Sequence, residues 1–227
     1  MRALTIFFFS LFSLPLVLNA QSVDEMLQKV SAAIESGQHG QAVSYFRQTI
    51  GLNIDRTEMF YWTSIDKSSE ISSKLAVELA SAYRRNRNYD KAYLFYKELL
   101  QKTPDNVDYL EACAEMQVCR GHEKEALRMY EKVLQLDADN LAANIFLGNY
   151  YYLMAEKEKK RLDTDFKKLA SPTKMQYARY RDGLSKVFST DYQKARNSLR
   201  KVISQFPSTE AQKTLDKILR IEKEVNR

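Results

Sequence analysis

Two stretches decide the fold of this 227-residue chain: Leu79-Ala80-Ser81-Ala82-Tyr83, and, after a polar break, Asn88-Tyr89-Asp90-Lys91-Ala92-Tyr93-Leu94-Phe95-Tyr96-Lys97-Glu98-Leu99-Leu100. They recur downstream as Cys113-Ala114, then Gly121-His122-Glu123-Lys124-Glu125-Ala126, Tyr130 and Val133-Leu134. Ala80 and Ala114, Ala92 and Ala126, and Tyr96 and Tyr130 each stand 34 positions apart. Apolar residues within each stretch follow helical spacing. Small Ala80 and Ala92 let two antiparallel helices approach closely, and Tyr83 and Tyr96 fill the space beside them. Asn88-Tyr89-Asp90 and Gly121-His122 read as the turns between helices. Pro104 ends a helix because its ring cannot continue a helix interior.

Weaker copies extend on both sides. Upstream, Gly37-Gln38-His39-Gly40-Gln41-Ala42, Phe46 and Ile50 read as a turn and second helix, after a helix from about Val23 to Ser36. Downstream, Leu147-Gly148 and Tyr151 continue the count as a first helix. Ala155 to Lys168 is then a charged helical stretch, which Ser171-Pro172 interrupts. A further helix is expected from about Thr173 to Phe188. Asp191-Tyr192-Gln193-Lys194-Ala195, Leu199, Val202-Ile203 and Pro207 then match a second helix. Ser208 to Val225 opens with a cap and carries Leu215, Ile218 and Ile221 at helical spacing.

With its period of 34, this pattern resembles the tetratricopeptide-repeat family from about residue 23 to 207. The resemblance implies an all-α fold: a right-handed superhelical solenoid of antiparallel helix pairs. Its repeats fall at about 23–56, 73–106, 107–140 and 141–207, the last with an insertion at about 155–175. A C-terminal capping helix at 208–225 closes the apolar end, as solenoids require. The family also implies a concave groove, formed by the first helix of each repeat, that holds peptides or helices. The groove positions map to Lys74, Val77, Ser81, Arg84 and Arg85, then to Asp108, Glu111, Glu115, Val118 and Cys119. In the next repeat they map to Ala142, Ile145, Asn149, Tyr152 and Leu153. The family's Lys/Asn clamp for a C-terminal carboxylate is not reproduced, because Val77 stands where its lysine belongs.

Thr57 to Ser72 departs from the pattern and carries Met59-Phe60-Tyr61-Trp62, an aromatic run with the chain's single Trp. Tyr61 and Trp62 have two readings, an anchor for a partner or packing at an irregular repeat junction.

The first twenty residues differ from the rest. Arg2, the apolar run Leu4–Leu18 and Asn19-Ala20 read as a secretory signal expected to be cut after Ala20, leaving residues 21–227, with an uncleaved anchor as the alternative. Leu18 is larger than usual three residues before a cut. The run is shorter than the ~20 apolar residues of a membrane span. An exported location follows, periplasmic or extracellular.

Residues 21–149 hold 15 Lys+Arg and 19 Asp+Glu, whereas residues 150–227 hold 19 and 10. The last third is therefore basic. Lys157, Lys159, Lys160 and Arg161 form a candidate contact for an anionic surface. Interleaved Glu156, Glu158, Asp163 and Asp165 favour the alternative of a solvated, internally paired helix.

Little points to chemistry. The chain has two histidines, His39 and His122, each in an inter-helix turn. No glycine-rich phosphate loop or nucleophile elbow occurs. Cys113 and Cys119, six apart on one helix, would have Cα atoms about 9 Å apart, too far for a disulfide. No metal, cofactor or catalytic residue is expected. The expected function is a non-catalytic scaffold for a protein or peptide partner, with nucleic acid ranked last. Two alternatives stand beside it. One is a membrane- or wall-surface adaptor docked through 157–168, and the other is an accessory subunit of an envelope enzyme complex.

Overall fold

The structure, a computed structural model, describes residues 22–225. The expected leader and its cut after Ala20 lie outside the described residues. The chain divides after Asp66 into two compact units.

The first unit holds α1 (Val23–Glu35), α2 (His39–Leu52) and α3 (Ile54–Ser64). A capping box starts α1: the Ser22 hydroxyl accepts from the Glu25 amide, and the Glu25 carboxylate accepts from the Ser22 amide. Gly37, at φ 72°, turns the chain from α1 into α2. Val30, Ala42 and Phe46 are fully buried. Asn53 caps α3, its side chain accepting from the Arg56 amide. The segment from Thr57 that breaks the repeat pattern is thus mostly helix, as far as Ser64.

The second unit begins with two ordinary pairs: α4 (Glu70–Arg85) with α5 (Tyr89–Lys102), and α6 (Val107–Cys119) with α7 (Glu123–Leu136). The small residues lie at the contacts, and Ala80, Ala92, Ala114 and Ala126 are all fully buried. Each pair turns on a left-handed residue, Arg87 at φ 58° and Gly121 at φ 78°. Such a residue ends a helix by satisfying its last carbonyls. The amides of Asn88 and His122 bond back to Tyr83 and Gln117 in the same way. Asn106 and Asn140, 34 apart, cap the next first helices.

The following pair is different. One helix, α8, runs from Leu141 to Lys167, twice the length of its equivalents. Its residue 155, which follows Gly121 by 34 positions, is Ala155, fully buried and helical. With alanine there the chain meets no stop, and the helix continues. After the break at 168–173 come α9 (Lys174–Val187), a wide turn at Phe188–Tyr192, and α10 (Gln193–Gln205). Val187, Phe188, Tyr192 and Gln193 all keep right-handed helical torsions, and the Gln193 amide bonds to the Phe188 carbonyl five residues back. The helix expected to end near Phe188 therefore does not end. It passes through one π-helical turn and runs unbroken from Lys174 to Gln205.

Contacts along α8 follow one antiparallel register. Asp163 meets Tyr180, Glu156 meets Tyr192, and Gly148 faces Leu199. A Cβ on Gly148 would come within 3.0 Å of the Leu199 side chain, so this glycine sets the closeness of the two helices. The result is one hairpin of double length. Its core joins Ala155, Val187, Tyr192, Ala195, Leu199 and Val202, with Ala211 and Ile218 from α11 (Thr209–Val225). α11 packs on α10 as the expected terminal helix, and Arg196 pairs with Glu222 at 2.7 Å.

Candidate functional site

Helices α4, α6 and α8 each bring one face to a groove whose cavity measures about 530 Å³. Its lining includes Arg84 from α4, Glu111 and Glu115 from α6, and Ala142, Ile145, Asn149 and Leu153 from α8. The spacing of three and four residues on each helix puts these side chains on one face. An adjoining cavity of about 430 Å³ adds Ser81, Arg85 and Cys119.

The groove is tied across its helices. Arg84 pairs with Glu115 at 2.6 Å, linking α4 to α6. The Asn140 side-chain amide donates to Glu111 at 2.9 Å, linking the start of α8 to α6. One wall is aromatic: Tyr130 stacks on Phe146 with centroids 4.6 Å apart, and Phe146 on Tyr150 at 5.8 Å. Burial pushes the Tyr130 phenol up to about 12, and nearby Glu115 and Glu111 add to the shift. Ile145 and Leu153 remain 42% and 60% exposed, which is high for aliphatic side chains beside a groove.

Other residues expected in the groove lie elsewhere. Lys74 pairs with Glu70 one turn earlier on α4, at 2.7 Å. Lys74 and Asp108 line neither cavity. Tyr152 turns to the opposite side of α8, where its ring meets that of Tyr192, with centroids 6.3 Å apart. Its neighbour Tyr150 lines the groove instead. Two residues along a helix turn a side chain by about 200°, enough to exchange the two faces. Tyr130, Phe146, Tyr150 and Met154 were not picked out as lining residues. For the three on α8 the signal is a double-width stripe at 145–146, 149–150 and 153–154, apolar but for Asn149, which serves the core and the groove together.

Of the aromatic pair in α3, Tyr61 is fully buried and cannot meet a partner. Trp62 is 42% exposed, packs edge-on to Tyr61 and donates its ring N–H to Glu58 at 3.3 Å. The basic segment is largely balanced within itself. Lys159 pairs with Asp163 at 2.7 Å, and Arg161 pairs with Glu158 at 2.5 Å and with Asp165 at 3.4 Å. Lys157 and Lys160 are exposed.

Cys113 is buried and Cys119 exposed, both as free thiols. Burial pushes the Cys113 thiol up to about 12. His122 faces the Gln117 side chain at 3.0 Å in its turn. Among the described residues no cluster of His, Cys, Asp or Glu is placed to hold a metal ion, and no helix is long and apolar enough to cross a membrane.

Family models described as tetratricopeptide repeat match residues 75–107 and 177–209. A crystal structure from Bacteroides ovatus, of a protein provisionally described as protein-binding, is 85% identical to this chain. It covers 90% of this chain and 100% of its own, with a TM-score of 0.82. The chain carries tetratricopeptide repeats. A tetratricopeptide-repeat protein from Parabacteroides merdae is also similar, at 16% identity, covering 89% of this chain and 74% of its own with a TM-score of 0.39. No curated protein is significantly similar. In this repeat protein the second match, 177–209, spans α9, the wide turn and α10, where the two helices of a repeat are joined end to end.

Proposed function

We propose that this protein is an exported, non-catalytic scaffold that holds a segment of another protein in the groove of α4, α6 and α8. The observation that carries the reading is the exposure of Ile145 and Leu153 beside the Tyr130–Phe146–Tyr150 stack, in a groove braced by Arg84–Glu115 and Asn140–Glu111. Apolar side chains left open on a braced surface gain free energy when a partner covers them, about 25 cal/mol per Å² removed from water. The protein-binding description of the Bacteroides ovatus relative supports the same reading. Export rests on the sequence of residues 1–20.

Photo-crosslinking in the source cells tests the groove. A benzoylphenylalanine replaces Leu153 in one variant and Leu94, an exposed leucine of α5, in another. A defined adduct at Leu153 and none at Leu94 is expected. Adducts at both in equal yield, or at neither, would contradict the reading. Sequencing the N-terminus of the same protein tests cleavage of the leader: a start at Gln21 is expected, and a start at Met1 contradicts it.

A further inference from the structure

We propose that the segment held in the groove presents an arginine, its guanidinium laid on the Phe146–Tyr150 rings against the carboxylates of Glu111 and Glu123, with an aliphatic neighbour on Ile145 and Leu153. This rests on the groove reading above and names the chemistry of its occupant.

Charge complementarity carries the argument. The lining includes three carboxylates, Glu111, Glu115 and Glu123, and a single cation, Arg84. Arg84 is engaged by Glu115 at 2.6 Å. Among the described residues Glu111 accepts the neutral Asn140 amide and pairs with no cation. Burial chiefly raises the Tyr130 phenol, and the nearby Glu115 and Glu111 carboxylates add to that shift.

The rings supply the second half of the site. Phe146 stacks on Tyr130, Tyr150 stacks on Phe146, and both Phe146 and Tyr150 are partly exposed. A cation over such a face is attracted by the ring quadrupole. Guanidinium suits the combination better than ammonium, because its plane stacks on a ring while its edge donates to a carboxylate. An acidic segment would meet like charge here. A wholly apolar one would cover Glu111 and strip its water with no donor in return, which is costly. An arginine beside an aliphatic residue therefore satisfies both parts of the lining at once.

The test is a random peptide-display selection on the immobilised protein, followed by affinity measurement of the enriched peptides. Enrichment of arginine next to an aliphatic residue is expected. Changing that arginine to glutamine should weaken binding about ten-fold, as should E111Q/E123Q in the protein, with unchanged circular dichroism. The two losses should not add, because they remove one contact. Enriched peptides that lack a cation yet lose binding on I145E/L153E would overturn this inference and leave the groove reading intact. Failure to enrich any peptide sensitive to I145E/L153E would overturn both.

Discussion

Arg87 and Gly121 stand 34 residues apart and do the same task, each taking a left-handed torsion to end the first helix of a repeat. An L side chain in that region costs about 1–2 kcal/mol. A Cβ on Gly121 would meet nothing within 4 Å, so Gly121→Ala should cost only this backbone term, about 1 kcal/mol. Arg87→Gly should relieve it, gaining about 0.5 kcal/mol after the added freedom of the unfolded chain is allowed for. Urea denaturation followed by circular dichroism should therefore shift the midpoint down for the first and up for the second. The alanines at 80, 92, 114 and 126 were legible, since one period fixes them and each must be small. The turn expected at Asn88-Tyr89-Asp90 was misplaced: Arg87 takes the left-handed torsion, Asn88 caps α5, and Tyr89 and Asp90 are already helical. Tyr150 and Tyr152 were not separable in that way. Both are aromatic, and only the pitch of α8 decides that Tyr150 lines the groove while Tyr152 meets Tyr192.

Among the elements, the doubled hairpin departs most from an ordinary repeat. It exists because Ala155 occupies the position of Gly121 in the preceding repeat, and because no glycine or proline interrupts Phe188–Tyr192. Ala155→Gly should cost about 1 kcal/mol in helix propensity, and Ala155→Pro about 3 kcal/mol or more. Hydrogen exchange should then quicken in 156–187 before it does in α4–α7. Equal quickening throughout the second unit would show that the hairpin arm does not open by itself. Asp163 gives the arm an acid limit. Its partial burial opposes ionisation, yet hydrogen bonds from Lys159 and Tyr180 outweigh this and hold the carboxylate below its ordinary value of 3.8. The unfolded chain then binds the proton more readily, so this contribution is present above about pH 4 and is lost as pH falls through the lowered value. Asp163→Asn should flatten the acid side of the arm's stability profile, read by exchange between about pH 5 and pH 3. The sequence showed the two halves of the hairpin as separate helices, since periodicity marks where a helix can form. Whether it also stops there depends on a missing stop signal, and an absence leaves no pattern to read.

At the scale of the molecule, the charge asymmetry along the chain has a local resolution in the basic segment. Lys159, Arg161 and Lys168 each pair with a carboxylate within four residues. In the groove the balance tips the other way, with the carboxylates of Glu111, Glu115 and Glu123 and the cation Arg84 beside an aromatic wall. The sequence located the groove by carrying family positions onto α4, α6 and α8, and Arg84, Glu111, Glu115, Ile145, Asn149 and Leu153 do meet there. Its aromatic wall was hidden because Tyr130 and Phe146 pack against the core as well as line the groove. The most direct measurement of the central claim is quantitative capture from the source cells on two baits, the wild-type protein and I145E/L153E, both of which should fold because the two side chains are exposed. A protein retained by the wild type and reduced at least ten-fold on the variant, about 1.4 kcal/mol, is the predicted result. The same proteins retained equally on both baits would contradict the claim that this groove is where the protein binds.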